Sequence, residues 1–184
     1  MQQRISFAEP ERLTEIFDSE TRQEWQNTNY ILNCLALKND TVIADLGAGT
    51  GYFSSLFAET ADKVYALDCE PNMVSHMVQR FEAECKGNVE ARLTDALKPC
   101  LPDAVDVVFL ANVYRFIEQR DLFLNHLYQQ ADKDTEFVFV DLDSEHARVG
   151  FDRVVSEVRQ AGFEITFSDR ESCPSHYVLK FRQA

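Results

Sequence analysis

The chain has 184 residues, 45% of them hydrophobic and 27% charged, with six Gly and five Pro. That is enough apolar material for one sizeable core, and it excludes a disordered, collagen-like or low-complexity protein. Eighteen Lys and Arg against 31 Asp and Glu leave a formal net charge of −13, a field that repels a polyphosphate backbone, so no nucleic-acid partner is expected.

In chain order, helical periods come first, at Pro10–Phe17 and over residues 25–37, with Thr21-x-x-Glu24 spaced as a capping box for the second. Short β-branched runs then alternate with helical patterns. The runs cover residues 41–45, 63–68, 89–93, 105–111, 136–142, 163–167 and 177–181. Val105, Val107, Val108, Phe109 and Leu110 are nearly continuous, as in a strand covered on both faces. Met73, Met77 and Phe81 keep a helical period between Pro71 and Gly87; Leu124, Leu127, Tyr128 and Ala131 keep another. Phe151, Val154, Val155 and Val158 keep a third, closed by Gly162. Strand–helix–strand repetition implies parallel pairing with right-handed crossovers in an open α/β sheet. The last two runs, joined by about nine turn-like residues, predict an antiparallel hairpin.

Neither an internal repeat nor a Pro/Gly/Ser-rich linker divides the chain. The expectation is one domain over 1–184, a helical cap (1–40) followed by a Rossmann-like core (41–184). No run reaches the ~18 apolar residues of a bilayer span. Cys34, Cys69, Cys85, Cys100 and Cys173 form no C-x-x-C pair and read as reduced thiols. A cytoplasmic protein with no membrane partner is expected.

The strongest local signal is Val42-Ile43-Ala44-Asp45-Leu46-Gly47-Ala48-Gly49-Thr50-Gly51-Tyr52-Phe53. A buried strand runs into a glycine turn that opens a helix, where the backbone turns sharply and a ligand can approach closely. The third glycine of a dinucleotide fingerprint falls at position 52, which is Tyr52, and no Gly-Lys-Ser/Thr follows. Asp45, two residues ahead of Gly47, suits a cationic group better than a pyrophosphate. Asp68 ends the next strand, 21 residues after Gly47, close to the ~20 expected of a carboxylate that binds ribose hydroxyls. Asp95 ends the third strand within reach of an adenine amino group, and Ala111-Asn112-Val113-Tyr114 ends the fourth. Four strand ends converge on one nucleoside-sized site.

These segments resemble class I S-adenosylmethionine-dependent methyltransferases of the small UbiE-like kind. The likeness takes in Glu24-Trp25-Gln26, residues 44–53, residues 64–68, Val105-Asp106-Val107-Val108, Asn112-Val113-Tyr114 and Ala161-Gly162-Phe163. It implies a doubly wound sheet of seven strands in the order 3-2-1-4-5-7-6, strand 7 antiparallel, with S-adenosylmethionine as cofactor. By that resemblance Asp45 and the backbone of Gly47, Ala48, Gly49 and Gly51 hold the methionine moiety, Asp68 the ribose, and Asp95 and Ala96 the adenine, with Tyr52, Cys69, Ala111 and Asn112 as further cofactor-binding residues. Trp25, Tyr30, Tyr114 and Asp141 are candidates for the acceptor side, and the small cap points to a small-molecule substrate. The chain departs from the family in the loop 131–135, which lacks glycine, and at Arg115-Phe116, where similar sequences often carry histidine.

Plainer readings stand beside these. Asp45 is also a turn-capping residue type, Trp25 and Tyr30 also sit at helical spacing as packing residues, and Tyr114 is also a core residue type. His76, His126, His146 and His176 are scattered and read as surface or locally bonded. Asp141, Asp143, Glu145 and His146 lie where some O-methyltransferases bind magnesium. An acidic helix entry explains them as well, and no metal is assigned. Three functions follow: an active methyltransferase, a nucleotide-cofactor oxidoreductase disfavoured by Tyr52, and a degenerate methyltransferase that binds cofactor or a protein partner without turnover.

Overall fold

The computed structural model describes residues 9–19, 21–144 and 147–184. Three helices, α1 (Pro10–Phe17), α2 (Arg22–Gln26) and α3 (Thr28–Leu35), precede the alternating core. It runs β1 (Val42–Leu46), α4 (Tyr52–Phe57), β2 (Lys63–Asp68), α5 (Pro71–Ala83), β3 (Val89–Leu93), β4 (Val107–Ala111), α6 (Arg120–Gln130), β5 (Glu136–Leu142), α7 (Phe151–Gln160), β6 (Phe163–Asp169) and β7 (His176–Gln183). A single 3-10 turn, Tyr114–Phe116, follows β4.

The sheet has seven strands in the order β3-β2-β1-β4-β5-β7-β6. All neighbours are parallel except β7, which is antiparallel to β5 and β6. Alternation along each strand divides the core. Ala44, Val108, Leu110, Phe137, Phe139, Leu179 and Phe181 pack with Phe123, Leu127, Val154 and Val158 of α6 and α7. Ile43, Phe109, Val138, Val140 and Val178 pack on the other face with Ile31, Leu35, Phe53 and Phe57 of α3 and α4. Met77 and Phe81 bring α5 onto Ala66.

Three expectations need correction. The helix read over 25–37 is two helices, broken at Asn27. That residue adopts a left-handed conformation (φ 54°) and caps α3 by accepting the Tyr30 N–H. The capping box is not formed, because the Thr21 hydroxyl bonds Ser19 instead. The last two strands are longer than read, which shortens their connection to residues 170–175. The loop before β5 is held without glycine: the Thr135 hydroxyl donates to the Val105 carbonyl at 2.9 Å.

Because β7 runs backwards, its first residue, His176, lies opposite Leu142 at the carboxyl end of β5. The cap crosses this carboxyl edge and is fastened at both sides. At one side Arg80 of α5 pairs with Asp18 at 2.6 Å and donates to the Thr50 carbonyl. At the other, Asn27 donates to the Ser172 carbonyl, and Ser175 donates to that of Trp25.

Candidate active site

The glycine turn between β1 and α4 is locked to β2: the Gly47 and Ala48 N–H groups both donate to the Leu67 carbonyl. Its glycines have different duties. A Cβ at Gly47 (φ +77°) would come within 2.4 Å of Val113, so that position is closed by packing. A Cβ at Gly49 (φ +58°) would meet only the Phe17 ring, at 3.7 Å. Gly49 is therefore required for its left-handed backbone and for close approach, not by the core.

Asp45 lies two residues after Ile43 on β1, shares its face of the sheet and so faces α4, where it accepts the Ser54 hydroxyl at 2.6 Å. It is 2% exposed, and burial pushes its carboxyl up to about 7. Asp68 is also buried. One of its oxygens accepts the Gly49 N–H at 2.8 Å and the other the Glu70 N–H at 2.9 Å; burial raises its pKa as well. Asp68 therefore also holds the turn in shape. Cys69 beside it is exposed. Asp95 accepts the Leu97 and Lys98 N–H groups in an exposed turn that also carries Ala96, and Thr94 donates to the Asp68 carbonyl.

At the end of β4, after Ala111, Asn112 takes a left-handed conformation (φ 62°), which asparagine tolerates. Its Oδ1 meets Arg115 Nη1 at 2.6 Å and His176 Nε2 at 2.9 Å. Arg115 pairs with buried Asp141, which also accepts the Arg115 N–H. The His176 ring lies 5.6 Å from that of Trp25 and bonds the Ser175 hydroxyl. Burial, then the charge of Arg115, lowers its pKa to about 4, so it is neutral at pH 7.

Trp25 thus faces this edge, while the hydroxyls of two other acceptor-side candidates are taken up by carboxylates of the fold. The Tyr30 hydroxyl donates to Asp169 at 2.8 Å and fastens α3 to the end of β6. Tyr114 is buried against Phe123 and Phe139 and donates to Glu157 of α7. Both hydroxyls thereby fasten elements of the fold to one another. Asp143 is engaged by Arg170, while Glu145 and His146 lie outside the described residues.

Sequence reasoning missed Arg22, Gln26 and His176. Arg22 is buried over the Tyr52 ring, 4.0 Å from its centroid. His176 was legible in principle, because an antiparallel final strand must begin at the carboxyl edge.

A model of the methyltransferase domain matches residues 43–134, half of the chain. An uncharacterized methyltransferase of Geobacillus sp. (strain WCH70) is 25% identical over 152 residues, covering 80% of this chain and 68% of the relative. A SAM dependent methyltransferase from Aquifex aeolicus superposes with a TM-score of 0.84 at 21% identity, covering 96% of this chain and 99% of that one. DhpI in complex with SAH superposes with a TM-score of 0.74 at 20% identity, covering 95% and 93%. At these identities the structural likeness establishes the fold. The chain belongs to the methyltransferase-domain family.

Proposed function

We propose that the carboxyl-edge cleft holds S-adenosylmethionine between the glycine turn and the strand-end acids, and that the methyl group passes to a small-molecule acceptor under the helical cap. The observation that carries this reading is the Gly49–Asp68 contact, which joins the glycine turn and the strand-2 acid into one rigid unit. Asp68 keeps lone pairs for ribose hydroxyls after accepting its two backbone N–H groups. Asp45, buried with a single hydroxyl partner, suits an ammonium group.

The donor supplies an electrophilic methyl whose sulfonium charge disappears on transfer. What the chain contributes is alignment and exclusion of water, and proximity of this kind is worth up to ~7–11 kcal/mol in favourable cases. Support for a small acceptor comes from the cap, helices of 8, 5 and 8 residues tied down at both sides. Trp25 and neutral His176 face the acceptor side, where they offer an apolar wall and a polar tip without adding a charge.

S-adenosylhomocysteine at a hundredfold its dissociation constant should stabilise the protein by ~2.7 kcal/mol, a melting shift of roughly 5–10 °C. NAD should give none, and the opposite pattern would overturn the reading. Gly49→Val should abolish the shift; its Cβ meets only Phe17, so the cost to the fold is the left-handed backbone strain of about 1–2 kcal/mol, which a thermal melt of the ligand-free variant reads. A methyl-transfer screen over small hydroxylated, amino and thiol compounds then tests the acceptor class.

A further inference from the structure

The half of the carboxyl edge beyond β4 is organised around one side chain, Asn112. Its Oδ1 takes two donors, Arg115 Nη1 at 2.6 Å and His176 Nε2 at 2.9 Å. A guanidinium has no acceptor, so the oxygen and nitrogen of this amide cannot be exchanged, and His176 carries its proton on Nε2. Both donors are themselves held. Asp141 takes the Arg115 guanidinium and backbone N–H, and His176 is fastened by the Ser175 hydroxyl and by the pairing of β7 with β5. The amide is thereby fixed with its Nδ2 turned away from both. That NH2 group makes no hydrogen bond among the described residues, and it is not one of their buried unpartnered atoms, so solvent reaches it at the carboxyl end of β4.

Beside it stands a small cationic platform. The Phe116 ring carries two guanidiniums, the Arg115 carbon 4.7 Å and the Arg148 carbon 4.9 Å from its centroid. Arg115 is neutralised by Asp141, whereas Arg148 is exposed and forms no ion pair among the described residues. In a chain of net charge −13 this is a local inversion of the field, and it favours an anion. The acceptors nearby are already engaged: Asp141 by Arg115 and the Leu142 N–H, Asn112 Oδ1 by its two donors, and Asp143 by Arg170. What these residues leave for a ligand is an amide NH2 and a guanidinium, both donors, with the Trp25 and Phe116 rings as apolar walls.

We propose that the methyl acceptor is an apolar body bearing a carboxylate, whose oxygen takes an N–H of Asn112 Nδ2 while Arg148 draws it to the mouth of the cleft. This rests on the reading of the cleft as the site of methyl transfer, and it narrows the acceptor from small molecules at large to anionic ones. His176 and Arg115 are then positioning residues, which act on the acceptor through the Asn112 amide. A neutral analogue lacks the charge that Arg148 answers, and a cation is repelled.

The test takes benzoate and benzamide as probes, close in shape and different in charge, and titrates them calorimetrically into protein saturated with S-adenosylhomocysteine. The parent should prefer benzoate by roughly tenfold, and high salt should erode that preference. Asn112→Asp suits the left-handed backbone and keeps an oxygen for Arg115 and His176, so the chain still folds. It replaces the NH2 donor by a second oxygen and should abolish the preference. Arg148→Gln, an exposed change, should lower it roughly two- to fivefold. The affinity of each protein for S-adenosylhomocysteine is read first, and Arg148→Gln still decides should Asn112→Asp lose the cofactor. A parent that binds S-adenosylhomocysteine but takes benzoate no better than benzamide overturns the proposal, as does either variant that keeps the parent's preference. A parent that does not bind S-adenosylhomocysteine overturns the donor-site reading beneath it.

Discussion

The two halves of the carboxyl edge treat their buried charges differently. On the β4–β5–β7 side, Arg115 is paired with Asp141. At the glycine turn, Asp45, Asp68 and Arg22 are all buried, yet none is paired with an opposite charge among the described residues. Charges that find partners within the chain complete the fold. Those held by neutral groups alone are a standing cost, and a ligand of opposite charge relieves it.

The sharpest way to break this contrast is to unpair the paired half. Asp141→Ala strands Arg115, whose side chain is 16% exposed, and should cost about 3–5 kcal/mol. That lowers the melting temperature on the order of 10 °C; a loss under 2 °C would show that Asn112 alone suffices for Arg115.

Next comes Asp68→Ala, which acts on both properties. Loss of charge-assisted bonds to ribose should weaken S-adenosylhomocysteine binding roughly ten- to a hundredfold. Stranding the Gly49 N–H should cost a further ~1–3 kcal/mol of stability. Calorimetry and thermal melts separate the two, and unchanged affinity would leave Asp68 with a structural role only.

The pH dependence of Asp45 follows. Its folded pKa of about 7 lies above the ordinary 3.8, because burial disfavours the charge. Its contribution to stability is therefore fully present below about pH 4 and lost as pH rises through 7. Asp45→Asn should remove that loss, gaining on the order of 1–3 kcal/mol at pH 8. Binding of a cationic group runs the other way: parent affinity should rise between pH 6 and 8, while the Asn variant stays flat. His176 has the opposite sign, its folded pKa of about 4 lying below the ordinary 6.5, so its contribution is lost as pH falls from 6.5 through 4.

The smallest effect is expected of Tyr30→Phe. Losing the bond to Asp169 should cost about 1 kcal/mol and leave cofactor affinity unchanged. A change in affinity would return Tyr30 to the cleft.

Legibility in the sequence follows the same division. The glycine turn, the strand-end acids and the strand–helix alternation could be read because each rests on local period or spacing, whereas the order of the strands in the sheet was implied only by the family resemblance. The break at Asn27 could not, since the apolar period continues through it and only the backbone angle changes. The hydroxyl bonds of Tyr30 and Tyr114 could not be read either, because an aromatic at helical spacing or a strand end does not reveal its hydroxyl's partner. Those partners, Asp169 and Glu157, lie 139 and 43 residues away. Arg22 was invisible for the converse reason: its meaning lies in what it lacks, and sequence does not display absent partners.

The cap's tethers also bear on the order in which the molecule assembles. The bonds from Asn27 to Ser172 and from Ser175 to Trp25 close separations of 145 and 150 residues, far longer than those closed by the β1–β2 and β2–β3 pairings. Contacts at such range pay their loop-closure entropy before they gain anything, so they form after the local crossovers. The roof over the cleft is therefore the last part to be set. During synthesis the glycine turn can take shape while the hairpin that fastens its cover is still to be made.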